Sequence, residues 1–190
     1  MSTIREVAAT LPKLTPRELG LLRYLASLTK TFNIIPYSVL HRRLEIDRGD
    51  LEFMIRKLHG YRFIQRTGFG IRLLSAGLDA LALDALRKRG ILESLGPAMA
   101  VGKESDVYEA LSPKGEPLAV KFFRIGRISF RGIKRGRGYI SDELHEWHVI
   151  NVKSAKREFE ILAEISEKGC PVPVPVDRAY HVLVMKEYLA

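Results

Sequence analysis

A lysine in an apolar, strand-like segment requires an anionic partner. Lys121 lies in the run Pro-Leu-Ala-Val-Lys-Phe-Phe at residues 117–123, and burying an unpaired ammonium group costs several kcal/mol. A helical run at residues 151–162 carries one apolar face, and Glu158 lies beside that face. Taken alone, either residue could be a solvated surface charge. Together they predict an ion pair between the strand and the helix.

A tight polar turn precedes this strand. Gly102, Lys103, Glu104 and Ser105 separate two strand-like runs. Backbone N–H groups and a serine hydroxyl in such a turn can donate to phosphate oxygens, and the lysine adds positive charge. The turn by itself is weak evidence for a phosphate site. It is not a Walker loop, because the first glycine of that motif is missing and no helix follows.

The elements around these residues come in a characteristic order. From residue 91 onward, short β-like runs broken by glycine and proline replace a helical pattern, which predicts two domains, residues 1–90 and 91–190. The sequence of the second domain predicts, in order, a polar turn, a strand that carries Lys121 and a helix that carries Glu158. A proline-containing loop (169–175), an apolar strand (182–185) and an acidic segment follow. The run Ala-Val-Lys resembles the strand on which protein kinases carry a phosphate-pairing lysine. The order is that of a kinase N-terminal lobe.

The sequence of the first domain predicts three helices, a β-hairpin and a further helix. Thr15 and Glu18 form a capping box at the start of the first helix, and Pro36 opens the second. Asp47 caps the third helix, and Gly60 ends it. The predicted elements are helices at 15–30, 37–43, 47–60 and 75–89, and strands at 63–67 and 71–74 around a glycine turn. The fold class is therefore α+β: a winged helix-turn-helix domain followed by an antiparallel sheet with one αC-type helix.

Basic residues fall on the third helix and the hairpin of the predicted winged helix. These two elements enter nucleic-acid grooves in this motif, so they predict a phosphate-binding surface. The alternative is a protein-docking module whose arginines form only a solvated face. The candidate nucleic-acid-binding residues are Arg48, Arg56, Lys57, Arg62, Arg66 and Arg72.

The second domain resembles the RIO-type atypical protein kinases. The resemblance rests on the Gly-Lys-Glu-Ser turn, the Val-Lys-Phe strand and a basic Gly/Ser-rich insertion before a Lys-Arg-Glu-Phe helix. The winged helix points to the second subfamily, which acts in small ribosomal subunit maturation. The resemblance spans essentially the whole chain. It implies ATP as ligand, magnesium in the complete enzyme, and the pre-ribosomal small subunit or rRNA as partner.

The resemblance also assigns roles to individual residues. It implies that Lys121 and Glu158 form the catalytic, phosphate-anchoring pair, with Val107 and Ala119 on either side of the adenine and Met185 as gatekeeper. One departure from the family pattern is Lys186, which separates the methionine from the hinge glutamate. The other implied ATP contacts are the turn residues Gly102, Lys103, Glu104 and Ser105 and the hinge residues Glu187, Tyr188 and Leu189.

A basic, glycine-spaced segment at residues 126–138 has the composition of a mobile loop. In the RIO family the equivalent insertion approaches the nucleotide, which makes Ser129 a candidate phosphate contact or autophosphorylation site. An unstructured surface loop without defined contacts is an equal alternative.

Composition limits the ligands, the disulfides and the compartment that are possible for this chain. The 190 residues carry a formal net charge of +9, which attracts polyanions without choosing among RNA, DNA and nucleotides. The one cysteine, Cys170, excludes an internal disulfide and fits a reducing compartment. No apolar run is long enough to cross a bilayer and no secretory signal opens the chain, so we expect a cytoplasmic protein.

Phosphoryl transfer requires residues that this sequence does not contain. No His-Gly-Asp with a downstream asparagine and no metal-binding Asp-Phe-Gly or Asp-Phe-Pro occurs before Ala190. His145 and His148 beside Asp142 and Glu143 lack a clear third ligand, so we expect helix surface and no metal site. We expect the chain alone to bind nucleotide weakly and to turn over little. Two other functions stay open: a non-enzymatic nucleic-acid-binding protein and an inactive kinase-like interaction module.

Overall fold

The computed structural model describes residues 3–43, 46–126 and 140–187. Its contacts divide the chain into two compact units, Met1–Leu81 and Ala82–Ala190. This division falls within the helix Ser75–Lys88. The domain boundary expected near residue 90 stays a prediction.

The first unit contains the predicted helices and hairpin. Its three-stranded antiparallel sheet has the order β1-β3-β2. Helix α1, the 3-10 helix and strand β1 were not predicted, and Pro36 belongs to that strand rather than to the helix after it. The elements are α1 (Ile4–Thr10), a 3-10 helix (Leu11–Lys13), α2 (Pro16–Leu28), β1 (Ile35–Pro36), α3 (Tyr37–Arg43), α4 (Arg48–Gly60), β2 (Ile64–Arg66), β3 (Gly70–Leu73) and α5 (Ser75–Lys88).

Side-chain caps fix where these helices begin. The Thr15 hydroxyl accepts from the Glu18 N–H at 3.3 Å, and the Glu18 carboxylate accepts from the Thr15 N–H at 2.8 Å. The same reciprocal pair joins Thr3 and Glu6 at the start of α1. Asp47 accepts from two backbone N–H groups at the start of α4. Each cap satisfies donors that the first helical turn leaves unpaired.

A buried carboxylate links α2 to α4. Glu18 is only 2% exposed, and the Lys57 ammonium lies 2.9 Å from its Oε1 and 3.0 Å from its Oε2. The same ammonium donates to the Lys13 carbonyl at 3.0 Å. Because all three donors of Lys57 have partners inside this unit, its charge stabilises the fold.

The second unit is built on a five-stranded antiparallel sheet in the order β4-β5-β6-β8-β7. Strand β7 was not predicted, and its first residue, Pro175, was assigned to the loop before it. Helix α6 extends beyond the predicted helical run at both ends. Cys170 follows α6 and is exposed. No helix among the described residues is long and apolar enough to cross a membrane. The elements are β4 (Ser94–Val101), β5 (Ser105–Leu111), β6 (Pro117–Phe123), α6 (Ile140–Glu167), β7 (Pro175–Ala179) and β8 (Val182–Lys186).

Helix α6 packs on one face of this sheet. Along β6, Ala119, Lys121 and Phe123 alternate with Leu118, Val120 and Phe122, so the two sets point to opposite faces. Buried residues of β6, β8 and α6 form the helix-facing core: Ala119, Phe123, Leu183, Met185 and Ala155, with Val107, Ile125, Phe159 and Leu162 packed against them. Lys121 therefore shares its face with the core that holds α6.

We expect Lys57→Met to destabilise the first unit by about 2 kcal/mol. The substitution keeps the aliphatic stem but leaves the buried Glu18 carboxylate without its cationic partner. Urea unfolding followed by circular dichroism measures the loss. Arg56→Met is the matched control, because Arg56 lies 4.0 Å from Glu52 in an exposed pair and should cost less than about 1 kcal/mol. Equal losses in the two variants would contradict a structural role for Lys57.

Candidate functional site

The predicted ion pair joins β6 to α6. The Lys121 ammonium donates to both carboxylate oxygens of Glu158, at 2.7 and 2.8 Å. The side chains are 23% and 32% exposed, so the pair is partly shielded from water. The ammonium also lies 4.9 Å from the centre of the Phe123 ring. A two-oxygen, charge-assisted contact of this kind fixes the position of the ammonium.

Strand pairing places apolar side chains beside this ammonium. Val107 pairs with Lys121 across β5 and β6, and Ala119 pairs with Met185 across β6 and β8. Directly paired residues point to the same face of a sheet. Val107, Ala119 and Met185 therefore line the face that carries Lys121.

The polar turn closes one end of this face. The Gly102 N–H donates to the Ser105 carbonyl at 2.8 Å, which forms a tight reversal between β4 and β5. Gly102, Lys103 and Glu104 are exposed, and Ser105 is half-buried as the first residue of β5. Ser105 pairs with Phe123, two positions along β6 from Lys121. The turn and the ammonium thus belong to neighbouring strands at the same end of the sheet.

Arg124 anchors the turn through its backbone and its buried side chain. Its backbone N–H donates to the Glu104 carbonyl. The Arg124 guanidinium lies 3.6 Å from the Asp106 carboxylate, and both side chains are less than a tenth exposed. It also contacts the His181 ring nitrogen at 3.4 Å and lies over the Phe122 ring. These contacts tie the turn to the end of β6.

Two sequence families match the chain. Residues 11–89 match the family described as Rio2, N-terminal, and residues 106–189 match the RIO domain. The RIO-type serine/threonine-protein kinase Rio2 of Methanocaldococcus jannaschii is 35% identical over 152 residues, which are 80% of this chain and 56% of that protein. The serine/threonine-protein kinase rio2 of Schizosaccharomyces pombe is 33% identical over 163 residues, 83% of this chain and 47% of that protein.

The chain belongs to the Rio2 family of serine/threonine kinases. A crystal structure of the Rio2 kinase from Chaetomium thermophilum, in an ADP/Mg²⁺-phosphoaspartate complex, matches 96% of this chain and 55% of that chain with a TM-score of 0.84 at 30% identity. The predicted fold class, a winged helix followed by a kinase-like lobe, is therefore confirmed. The chain spans about half the length of these Rio2 relatives.

The Rio2 resemblance assigned roles to hinge residues and to a loop serine, and only some of these residues lie in the described part of the chain. Met185 is 7% exposed in β8, and the Glu187 N–H donates to the Pro117 carbonyl at 3.3 Å. This hydrogen bond ties the hinge segment to the start of β6. Three assigned residues lie outside the described part of the chain: Ser129, Tyr188 and Leu189.

The predicted nucleic-acid residues fall into two groups. Arg48, Arg56 and Arg62 are exposed, and Arg56 makes a long, exposed contact of 4.0 Å with Glu52. Arg48 begins α4, and Arg62 lies in the turn before β2. The other three make closer side-chain contacts within the winged helix. Lys57 holds Glu18, and Arg72 donates to Gln65 at 3.1 Å.

Arg66 belongs to the engaged group. Its guanidinium lies 2.9 Å from the Glu52 carboxylate. A hydrogen bond with Tyr37 and the neighbouring Glu52 carboxylate raise the pKa of Arg66 above its ordinary value. Arg66 therefore stays charged at any relevant pH, and its charge is paired with a carboxylate on α4.

No group of three or more potential metal ligands occurs among the described residues. Of the residues considered for metal binding, Asp142, Glu143 and His145 have side chains outside the described part. His148 is 8% exposed on α6, which differs from the surface position expected for it.

Sequence reasoning missed several residues that shape the site. Asp106 and Arg124 form a buried pair, although their types suggest surface positions. Asn151 hydrogen-bonds the backbone of Ile125 in both directions. The sequence offers no local signal for either contact, because the partners are 18 and 26 residues apart.

We expect Gly126→Ala to destabilise the second unit more than Gly115→Ala, by about 1–3 kcal/mol. Both glycines have positive φ, +91° and +78°, so both variants carry backbone strain. Of the two, only the Cβ added at Gly126 would clash with a neighbour, the ring of Trp147, whereas Gly115 faces open space. Thermal unfolding measures the difference, and emission of the single tryptophan reports the displaced ring. Equal destabilisation would refute close packing of Trp147 on Gly126.

Proposed function

We propose that this chain carries the ATP-binding part of a serine/threonine kinase or ATPase. The observation that supports it best is the Lys121–Glu158 contact, with its two short bonds, on the same sheet face as Val107 and Ala119. The pair thus shares its sheet face with apolar side chains, and the Gly102–Ser105 turn lies at the same end of the sheet.

Each residue then has a definite task. ATP supplies the γ-phosphoryl group that such an enzyme transfers. Val107 and Ala119 pack against the adenine, and backbone groups near Glu187 read its edge. Lys121 donates to phosphate oxygens while Glu158 holds the ammonium in place. Ser105 and the N–H groups of the turn donate to the remaining phosphate oxygens.

Binding alone does not complete phosphoryl transfer. A base-positioning aspartate and magnesium ligands are also required, and the sequence motifs that supply them in kinases do not occur in residues 1–190. We propose that residues 1–190 alone bind nucleotide weakly and turn over ATP at background rates. Catalysis then depends on residues of the kind that kinases carry after the hinge. An inactive interaction module is the alternative, and a longer chain that still lacks turnover would favour it.

We expect Lys121→Met to weaken binding of a fluorescent ADP analogue at least tenfold, and Glu158→Gln to weaken it by a smaller factor. The lysine variant removes a direct phosphate contact, which is worth about 1.5–3 kcal/mol. The glutamate variant only frees the ammonium to move. Fluorescence anisotropy at constant salt measures both affinities.

The matched controls are Lys156→Met and Glu160→Gln, which disrupt an exposed pair on the same helix with a 3.6 Å separation. They should leave affinity within about twofold, because exposed pairs contribute less than about 1 kcal/mol. An affinity in Lys121→Met equal to that of the unaltered chain would reject the nucleotide site.

We further propose that the winged helix binds RNA, with the pre-ribosomal small subunit or its rRNA as partner and the cytoplasm as compartment. The net charge of +9 and the three exposed arginines on α4 and the adjoining turn support this proposal. Lys57, Arg66 and Arg72 contribute less, because their side chains already contact groups within the unit. If this module alone accounts for function, the protein is a non-enzymatic nucleic-acid-binding protein.

Reversing the charge of the three exposed arginines should weaken RNA binding by about tenfold or more. The variant is Arg48→Glu with Arg56→Glu and Arg62→Glu, and the slope of log affinity against log salt should fall by up to about three. Filter binding to a structured RNA across a salt series measures both quantities. A control with the same change in charge is Arg5→Glu with Lys30→Glu and Arg42→Glu, all exposed. An equal loss in both triple variants would indicate nonspecific attraction only.

A further inference from the structure

Asn151 is a buried polar residue on α6 that makes two hydrogen bonds to a single residue. It is 7% exposed. Its Oδ1 accepts from the Ile125 N–H at 2.8 Å, and its Nδ2 donates to the Ile125 carbonyl at 3.2 Å. Ile125 lies two residues beyond the end of β6, so its backbone groups are past the strand pairing of the sheet. The amide replaces that pairing and joins α6 to the chain that leaves β6.

This contact and the Lys121–Glu158 pair connect the same two elements at separate points. Asn151 and Glu158 are seven residues apart on α6, about two turns or 10 Å along one helix face. Lys121 and Ile125 are four residues apart, about 13 Å along an extended chain. The apolar core packs α6 on the sheet. The two polar contacts add directional restraints at separate points, which restrict the rotation of the helix and its position along β6.

The two contacts differ in chemistry. The Lys121–Glu158 pair is ionic and partly exposed, so salt weakens it. The Asn151 amide is neutral and buried, so salt has little effect on its hydrogen bonds. The amide contact thus persists under conditions that weaken the ion pair.

We propose that Asn151 is a positioning residue, whose hydrogen bonds to Ile125 hold α6 at the rotation where Glu158 reaches Lys121. Its importance for nucleotide binding rests on the function proposed above for that ion pair. The neighbouring residue, Arg124, holds the Glu104 carbonyl of the turn. Two adjacent residues after β6 therefore fix both the turn and the helix.

The test measures the state of Lys121 without nucleotide. In Asn151→Leu both hydrogen bonds are lost. In the nearly isosteric Asn151→Asp only the donor is replaced. Acetylation of Lys121, measured by mass spectrometry relative to the exposed Lys156, should become at least threefold faster in both variants, because the ammonium is no longer held by Glu158. Affinity for the ADP analogue should fall about five- to twentyfold.

A destabilised control separates positioning from simple loss of stability. Leu92→Ala removes a buried side chain of the same unit that is not part of the core between α6 and the sheet. It should lower the melting temperature and leave the Lys121 acetylation ratio unchanged. An unchanged ratio in both Asn151 variants, or an equal rise in Leu92→Ala, would overturn the proposal. If the unaltered chain does not bind ADP, the proposed function fails, but the acetylation ratio still decides the role of Asn151.

Discussion

One ion pair between a strand and a helix organises the second unit. Lys121 and Glu158 are 37 residues apart in sequence and meet at 2.7 Å. The pair can form only if β6 presents its odd-numbered residues to α6 and the helix presents the face that bears Ala155. The register of β6, the alternation of its side chains and the rotation of α6 must therefore all be correct for this one contact to form. A shift of β6 by one residue would turn the ammonium to the opposite face and end the contact.

The cationic side chains of this molecule differ in how far their carboxylate partners are buried. Lys57 and Arg124 are held by carboxylates inside their own units and contribute to the fold. Lys121 is also paired with a carboxylate, but the side chain of its partner Glu158 is 32% exposed, whereas those of Glu18 and Asp106 are less than a tenth exposed. The same distinction divides the arginines of the winged helix into engaged and exposed residues. Local partners, more than net charge, determine which cations remain available to a ligand.

Local signals made much of this structure predictable. The capping residues Thr15 and Asp47 fixed helix starts within a few residues, because each cap involves neighbours in sequence. The Lys121–Glu158 pair followed from the cost of burying an unpaired ammonium. Strand β7 was missed because Pro173 and Pro175 resemble a loop, although Pro175 begins the strand and does not interrupt it. The contacts of Asn151 and Arg124 join distant segments, and no local pattern announces them.

The positions of Trp147 and Cys170 have a practical consequence. The chain contains one residue of each type. Trp147 packs against Gly126 on the N-terminal side of Asn151, and Cys170 lies exposed just beyond the last turn of α6. The unaltered sequence therefore carries an intrinsic fluorophore and a unique thiol for dye attachment on either side of the segment that bears Asn151 and Glu158. Reorientation of this segment can be followed spectroscopically without introducing any substitution.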